Sequence, residues 1–253
     1  MRLAVKSLLL LSWILGWTCL GPQAGAANTL PTDTLGAAMA VKKAASAKLA
    51  AELAAHPTDN EIRLQLGAVL CDMGAEGDEK SADEALALFK TMYTESPSNP
   101  EARAFYGNAC VIEAKYAFFL FKLDWTDKGF AHLDAAVGAA PEVVSVRLIR
   151  ALNSAQVPGV LGRDKVARED FAWLMRRQTE HPEDFNPGVL RALYYYAGKY
   201  ALERGESQSV TLLTQAAAVP GTSPLSEKVQ AVLKEARAKF PAADTASTVS
   251  PKN

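Results

Sequence analysis

The spacing of five prolines constrains this chain more than any other feature. Pro57, Pro97, Pro141, Pro182 and Pro220 lie 40, 44, 41 and 38 residues apart. Each ends a stretch with helical apolar spacing. "ADEALALFKTMYTESP" puts Ala85, Leu88, Phe89 and Met92 on one face, "KGFAHLDAAVGAAP" puts Phe130, Leu133, Ala136 and Val137 there, and "VAREDFAWLMRRQTEHP" places Val166, Phe171, Leu174 and Met175 less regularly. Proline lacks the N–H and clashes with the preceding turn, so it closes each helix. Periods of this size are those of arrays built from helix pairs. The predicted fold class is therefore all-α, a solenoid of helix-turn-helix units.

A second regularity is locked to the first. Pro57, Arg63 and Gly67, then Pro97, Arg103 and Gly107, then Pro141, Arg147 and Ala151 repeat a proline, an arginine and a small residue at fixed offsets. Glycine inside a helix costs about 1 kcal/mol relative to alanine, so its repetition predicts close packing by a second helix. The arginines read as a structural ladder that bonds carbonyls or acids in neighbouring turns, their stems packed and their heads hydrated. The other reading is a cationic rail for an acidic ligand. Asp59, Asn60 and Asn99 are placed to help start the next helix.

These residues resemble the tetratricopeptide repeat family, whose signature has a Gly or Ala midway along the first helix, a small residue and an aromatic in the second, and a terminal proline. Gly67, Ala85, Phe89 and Pro97 fill those places in one unit, and Gly107, Gly129, Leu133, Ala136 and Pro141 in the next. The periods exceed the usual ~34 residues, and Arg63, Arg103 and Arg147 stand where the first helix usually carries an aromatic, so the resemblance is to a divergent member. It implies a right-handed α-solenoid with four helix pairs over residues 58–220, at about 60–96, 100–140, 142–181 and 187–219. The periodicity adds a helix near Leu35 to Ala55 within the N-terminal segment 27–57, and a closing helix at about 224–240 with Val229, Leu233 and Ala236 on one side. Polar-backed terminal helices keep such arrays soluble. Residues 241–253 lack apolar periodicity and are expected to be disordered.

The first 26 residues read as a secretory signal peptide. Arg2 and Lys6 precede the apolar run Ser7 to Leu20, and Ala24 and Ala26 supply small residues for cleavage before Ala27. Export to a periplasmic or secreted location is expected. The chain has 27 basic and 28 acidic residues, and losing Arg2 and Lys6 brings the net charge to −3. This balance gives no reason to expect nucleic acid or an anionic membrane as the main partner, and no later apolar run is long enough for a span.

No chemical signature appears. HExxH, a Gly-rich phosphate loop and GxSxG are absent. His56 and His181 each precede a helix-closing proline, a C-terminal position suited to the helix dipole. Carboxylates such as Glu113 and Asp170 read as a solvated face. No catalytic residue, metal ligand or cofactor is expected. Cys71 and Cys110 sit at Gly67 plus four and Gly107 plus three, a one-residue offset that turns them about 100° apart. A bridge is permitted but not favoured, and two buried free thiols are expected.

Three segments stand out. "KYAFFLFKLDW", Lys115 to Trp125, lies in the extra length of the second unit and is expected to be buried on several faces; the alternative is an apolar patch that meets a partner. "NSAQVPGVLGRDK", Asn153 to Lys165, is expected to be a loop tucked under the array, its glycines free to take positive φ; the alternative is an apolar turn that grips a ligand. In "YYYAGKY", Tyr196 and Tyr200 share a face and read either as a groove wall suited to protein recognition or as core; Tyr194, Tyr195 and Tyr196 point three ways, so at least one is expected to be buried.

The resemblance also implies a concave groove that binds a protein or peptide segment. In register, it assigns Leu64, Ala68 and Cys71, then Ala104, Asn108 and Val111, then Leu148, Leu152 and Ala155, with Tyr196 and Lys199 following if Arg191 keeps the phase. Asn108 alone matches the family's polar clamp for a C-terminal carboxylate. The leading functional expectation is an exported scaffold or adaptor. The alternative is a solute- or lipid-binding accessory protein with an enclosed apolar pocket under the 115–125 segment.

Overall fold

A computed structural model describes residues 34–221 and 224–241. The signal peptide, its cleavage site and residues 242–253 of the tail lie outside the described residues. Among the described residues the chain is all-helical, with ten α-helices and no strand. Two compact units divide it, one ending at Arg150 and the other beginning at Ala151.

The first unit contains α1 (Thr34–Ala55), α2 (Asn60–Glu76), α3 (Glu79–Glu95), α4 (Pro100–Glu113) and α5 (Lys122–Ala139). α6 (Val144–Gln156) gives its first half to this unit. Sequence neighbours pack together, and α2 also touches α4. Side-chain caps start α2 and α4. Asp59 accepts from the Glu61 and Ile62 amides at 2.8 and 3.2 Å, and Asn99 from those of Glu101 and Ala102 at 2.9 and 3.3 Å, which satisfies orphan N–H groups of the first turn. α1, α3 and α5 end two residues before Pro57, Pro97 and Pro141.

Glycine sets the pairing. A Cβ on Gly67 of α2 would run into the Phe89 ring of α3, and that ring is fully buried and stacked on Phe105 at 5.0 Å. A Cβ on Gly107 of α4 would stand 2.8 Å from the Gly129 carbonyl oxygen and 3.0 Å from Leu133 Cγ. The core of these pairs is Ala85, Phe89, Met92, Phe130, Leu133, Ala136 and Val137. Leu88, expected with them, is half-buried.

The second unit holds the rest of α6 with α7 (Asp164–Glu180), α8 (Pro187–Glu203), α9 (Gln208–Ala218) and α10 (Pro224–Lys239). α8 packs on α9, and α10 on both. Gly198 repeats the seating device: its Cβ would come within 2.8 Å of Leu213 Cγ in α9. α10 buries Leu225, Val229, Leu233 and Ala236. Of the expected face of α7, Phe171 and Leu174 are buried, together with Ala167 and Asp170, while Val166 and Met175 are half-buried. That face has helical spacing, but a fully buried aspartate interrupts its apolar pattern.

Candidate functional site

The repeated arginine is a linker clamp in two of its three places. Arg63 Nε donates to the Pro57 carbonyl at 2.9 Å, and Arg147 Nε to that of Pro141 at 2.6 Å. Arg63 also pairs with Glu95 at 2.5 Å, tying the start of the first pair to its end. In the second unit Arg191 Nη2 donates to the carbonyls of Val219, Pro220 and Gly221 at 2.6, 2.9 and 2.5 Å. The structural reading of the ladder holds at these positions. Arg103 departs from it: its guanidinium sits over the Tyr93 ring, 5.9 Å from the centroid, and its buried Nε has no hydrogen-bond partner. Tyr93 lies four residues before Pro97, where the corresponding residues before Pro57 and Pro141 are Leu53 and Val137. An aromatic face attracts the guanidinium; an aliphatic side chain does not, and there the head turns to the carbonyl.

The groove positions are mostly sealed. Ala68, Ala104 and Leu148 have no exposure, Cys71 2 % and Leu152 6 %, so they offer a partner no surface. Val111 is half-buried and fills the α4–α5 seam, its Cγ2 where a Cβ on Gly129 would be. Asn108 is half-buried and hydrogen-bonds the Cys71 sulfur. Leu64, Ala155, Tyr196 and Lys199 are also half-buried. Tyr196 packs edge-on against Tyr195 at 4.9 Å, and Lys199 pairs with Glu203 at 3.6 Å.

The first unit also holds two buried thiols and a cluster of three rings. Cys71 and Cys110 are buried and unbridged. Burial, then Asp72, pushes the Cys71 thiol far up, opposed by Asn108. Burial also raises Cys110, against the pull of Lys128 and Tyr106. Both stay protonated near neutral pH, and a thiol is a poor nucleophile. Tyr93 stacks on Tyr106 at 5.5 Å, and His132 meets both edge-on at 5.1 and 4.8 Å. Burial, Arg103 and Lys128 hold the His132 imidazole below its ordinary value. Burial, Asp83 and Glu79 raise Glu113. Among the described residues no group of three or more His, Cys, Asp or Glu side chains is placed to hold a metal ion.

The segment between α4 and α5 overturns its expected burial. After α4 the chain makes a turn and one 3₁₀ turn, Phe119–Phe121, before α5. Phe118, Phe119, Leu120, Phe121 and Leu123 are exposed by 62, 67, 64, 56 and 60 %. Phe118 to Phe121 belong to neither α-helix, so neither helix face covers them, and Leu123 stands in the first turn of α5. The Asn153–Lys165 stretch differs from its expectation too. α6 runs to Gln156, the loop follows, and Val160 stands 91 % exposed rather than tucked. Gly162 takes φ +67° at the end of the Gly159–Leu161 turn.

In the second unit Tyr194 and Tyr195 are buried, and Tyr200 ties α8 to α7. Its hydroxyl donates to Asp164 Oδ1 at 2.5 Å, and Arg168 and Arg204 pair with the same carboxylate. The Tyr200 hydrogen bond and the two guanidiniums hold Asp164 below the usual carboxylate range. Burial and the Asp164 bond push Tyr200 up to about 12. This network is fully satisfied and reads as a joint between helices.

No protein-family model, curated protein or solved structure matches the chain. The exposed 118–123 tip is the site that periodicity missed. Its signal in the sequence is the eight-residue connection between two helix patterns, six longer than in the first pair and rich in large apolar side chains.

Proposed function

We propose that this chain is an exported, non-catalytic scaffold or adaptor, a right-handed tetratricopeptide-like α-solenoid that binds a segment of another protein along its first helices. One repeated observation carries the reading. A glycine in the leading helix seats the following helix at Gly67, Gly107 and Gly198, and the leading helices α2 and α4 stand side by side. Stacked pairs of this kind present aligned first helices as a binding face. With Ala104, Leu148 and Leu152 sealed, the half-buried assigned positions are Leu64, Asn108 and Val111 in the first unit and, separately, Ala155, Tyr196 and Lys199 in the second. Export rests on the pattern of residues 1–26.

The test is affinity capture in the protein's native compartment, comparing wild type with Leu64→Lys and Tyr196→Ala. All three proteins must show the same helicity and melting temperature within a few degrees. The reading expects a protein retained by wild type and lost from at least one variant. Identical retention by all three would sink the first-helix face as the binding surface.

A further inference from the structure

We infer that Arg103, Lys128 and His132 form an oxyanion-binding subsite, which takes the carboxylate or phosphate group of a ligand beside the Tyr93 and Tyr106 rings. It uses none of the assigned first-helix positions and does not rest on them. The starting point is a guanidinium without a structural task. Arg63, Arg147 and Arg191 each spend theirs on linker carbonyls. Among the described residues the Arg103 side chain makes no hydrogen bond and no ion pair, and its contact is the Tyr93 ring.

Three helices bring the groups together. Tyr93 lies in the last turn of α3, Arg103 and Tyr106 stand one turn apart on α4, and Lys128 and His132 one turn apart on α5, so each pair shares a helix face. The Tyr93, Tyr106 and His132 rings form one cluster, with centroids 5.5, 5.1 and 4.8 Å apart. The guanidinium lies on Tyr93, and Lys128 Nζ stands 5.3 Å over the Tyr106 ring and 4.7 Å over that of Trp125. Arg103 Nε and His132 Nδ1 are both buried without a hydrogen-bond partner. The Arg103 Nη atoms and His132 Nε2 are not among the buried orphans, and both residues are half-buried, so their heads still meet solvent. A folded chain normally supplies partners for its buried polar atoms. Two orphans against one ring mark a place where the partner comes from outside the chain.

Charge selects the ligand. Arg103 and Lys128 both act on the His132 ring, and both are positive. Among the described residues neither is in an ion pair, and Asp124, one turn before Lys128 on α5, does not pair with it. Elsewhere the chain supplies the acid itself: Arg63 has Glu95, and Arg168 and Arg204 share Asp164. Lys128 bonds the Tyr106 hydroxyl, which uses one N–H of an ammonium that carries three. The flanking rings hold both cations by cation–π contact and leave their charge unneutralised. A guanidinium meets carboxylate or phosphate oxygens through parallel N–H groups, and such charge-assisted bonds are the strong ones. His132, held below its ordinary value, stays neutral near pH 7 and adds a hydrogen bond rather than a third charge.

The decisive experiment is an NMR titration of the whole protein with inorganic phosphate and, separately, with acetate, at constant ionic strength set by chloride. The Arg103 Nε–H and His132 ring signals are expected to shift saturably with at least one probe, and the tighter probe identifies the oxyanion. Arg103→Met is expected to weaken binding about tenfold or more, and Lys128→Met by less. Arg176→Met removes the same charge from an exposed position on α7 and should bind as wild type. Because Arg103 bonds nothing in the fold, Arg103→Met should melt with wild type; if it melts lower, the wild-type signals and Lys128→Met decide. Signals unmoved by both probes overturn the inference, as does undiminished binding by both Arg103→Met and Lys128→Met. An equal loss in Arg176→Met also overturns it, since the effect would then be one of net charge. No partner protein is used, so failure here leaves the first-helix reading standing, and capture lost from Leu64→Lys leaves the subsite standing.

Discussion

The first and second helix pairs of the N-terminal unit solve one problem in two ways. In the first, two helices of 17 residues are joined across two residues, and Gly67 accepts the Phe89 ring. In the second, helices of 14 and 18 residues are joined across eight, and Gly107 faces the backbone of Gly129. A ring can give way by rotating or by substitution; a backbone carbonyl cannot. The extra period of the second pair is not a longer helix either. It is a connection, spent on an apolar tip.

The largest break in this comparison is expected from Gly107→Leu. The side chain meets backbone at Gly129, so the cost is about 3 kcal/mol or more, read as a lowered urea midpoint at unchanged slope. Gly138→Ala in the same pair is the control. Its Cβ meets nothing within 4 Å, so it should be neutral or stabilising by up to about 1 kcal/mol. Equal melting of the two variants would refute the glycine seat.

Next comes Gly67→Ala, at about 1–3 kcal/mol. Phe89→Leu should restore part of this loss, because the obstacle is a ring. The matching pair, Gly107→Ala with Leu133→Ala, should show no rescue, because the Gly129 carbonyl remains. A double-mutant cycle on each pair measures the difference, and equal coupling in both would erase the distinction between the seats.

A smaller effect separates the arginines. Arg63→Met breaks a carbonyl bond and an ion pair and should cost about 1–2 kcal/mol. Arg103→Met removes a buried, unbonded Nε and a ring contact together and should fall within about 0.5 kcal/mol of wild type. Thermal unfolding of both would expose an Arg103 bond that this geometry lacks.

The smallest effect is pH dependence. His132, in the second pair, is held below its ordinary value, so the neutral ring is the folded form. The stability this preserves is complete above the unfolded value of about 6.5 and is lost as pH falls through it toward the folded value. Melting between pH 7 and 5.5 should therefore decline more steeply in wild type than in His132→Phe. Parallel slopes would show that the ring is already solvated.

Much of this was legible in the sequence. Pro57, Pro97, Pro141, Pro182 and Pro220 mark helix ends because a missing N–H is a local fact, and α1, α3, α5, α7 and α9 all stop two residues earlier. Gly67 and Gly107 announce close packing because glycine in a helix needs a compensating contact. Asp170 and Phe118 were not legible, for opposite reasons. A buried aspartate looks like a surface residue in an apolar count, and an exposed Phe-Phe-Leu-Phe run looks like core. Periodicity reports the side a residue takes on a helix, and Phe118 belongs to no helix. Of the assigned groove, the register placed Leu64 and Asn108 on half-exposed ground. It did not foresee that Ala104, Leu148 and Leu152 would be enclosed, because enclosure depends on neighbours distant in sequence.

The arginine-to-proline bonds have a kinetic consequence. Arg63 and Arg147 close loops of six residues, and contacts so local form on the ~10–100 ns scale of short loop closure. The linkers before α2 and α6 can therefore take shape before any helix pair docks, which lowers the contact order of the search. The linker before α4 has no such latch, because Arg103 waits for the Tyr93 ring of α3. Ordering at that joint is tied to α3 being in place, and stopped-flow refolding should show Tyr93→Leu altering the rate there before it alters the stability of the finished fold.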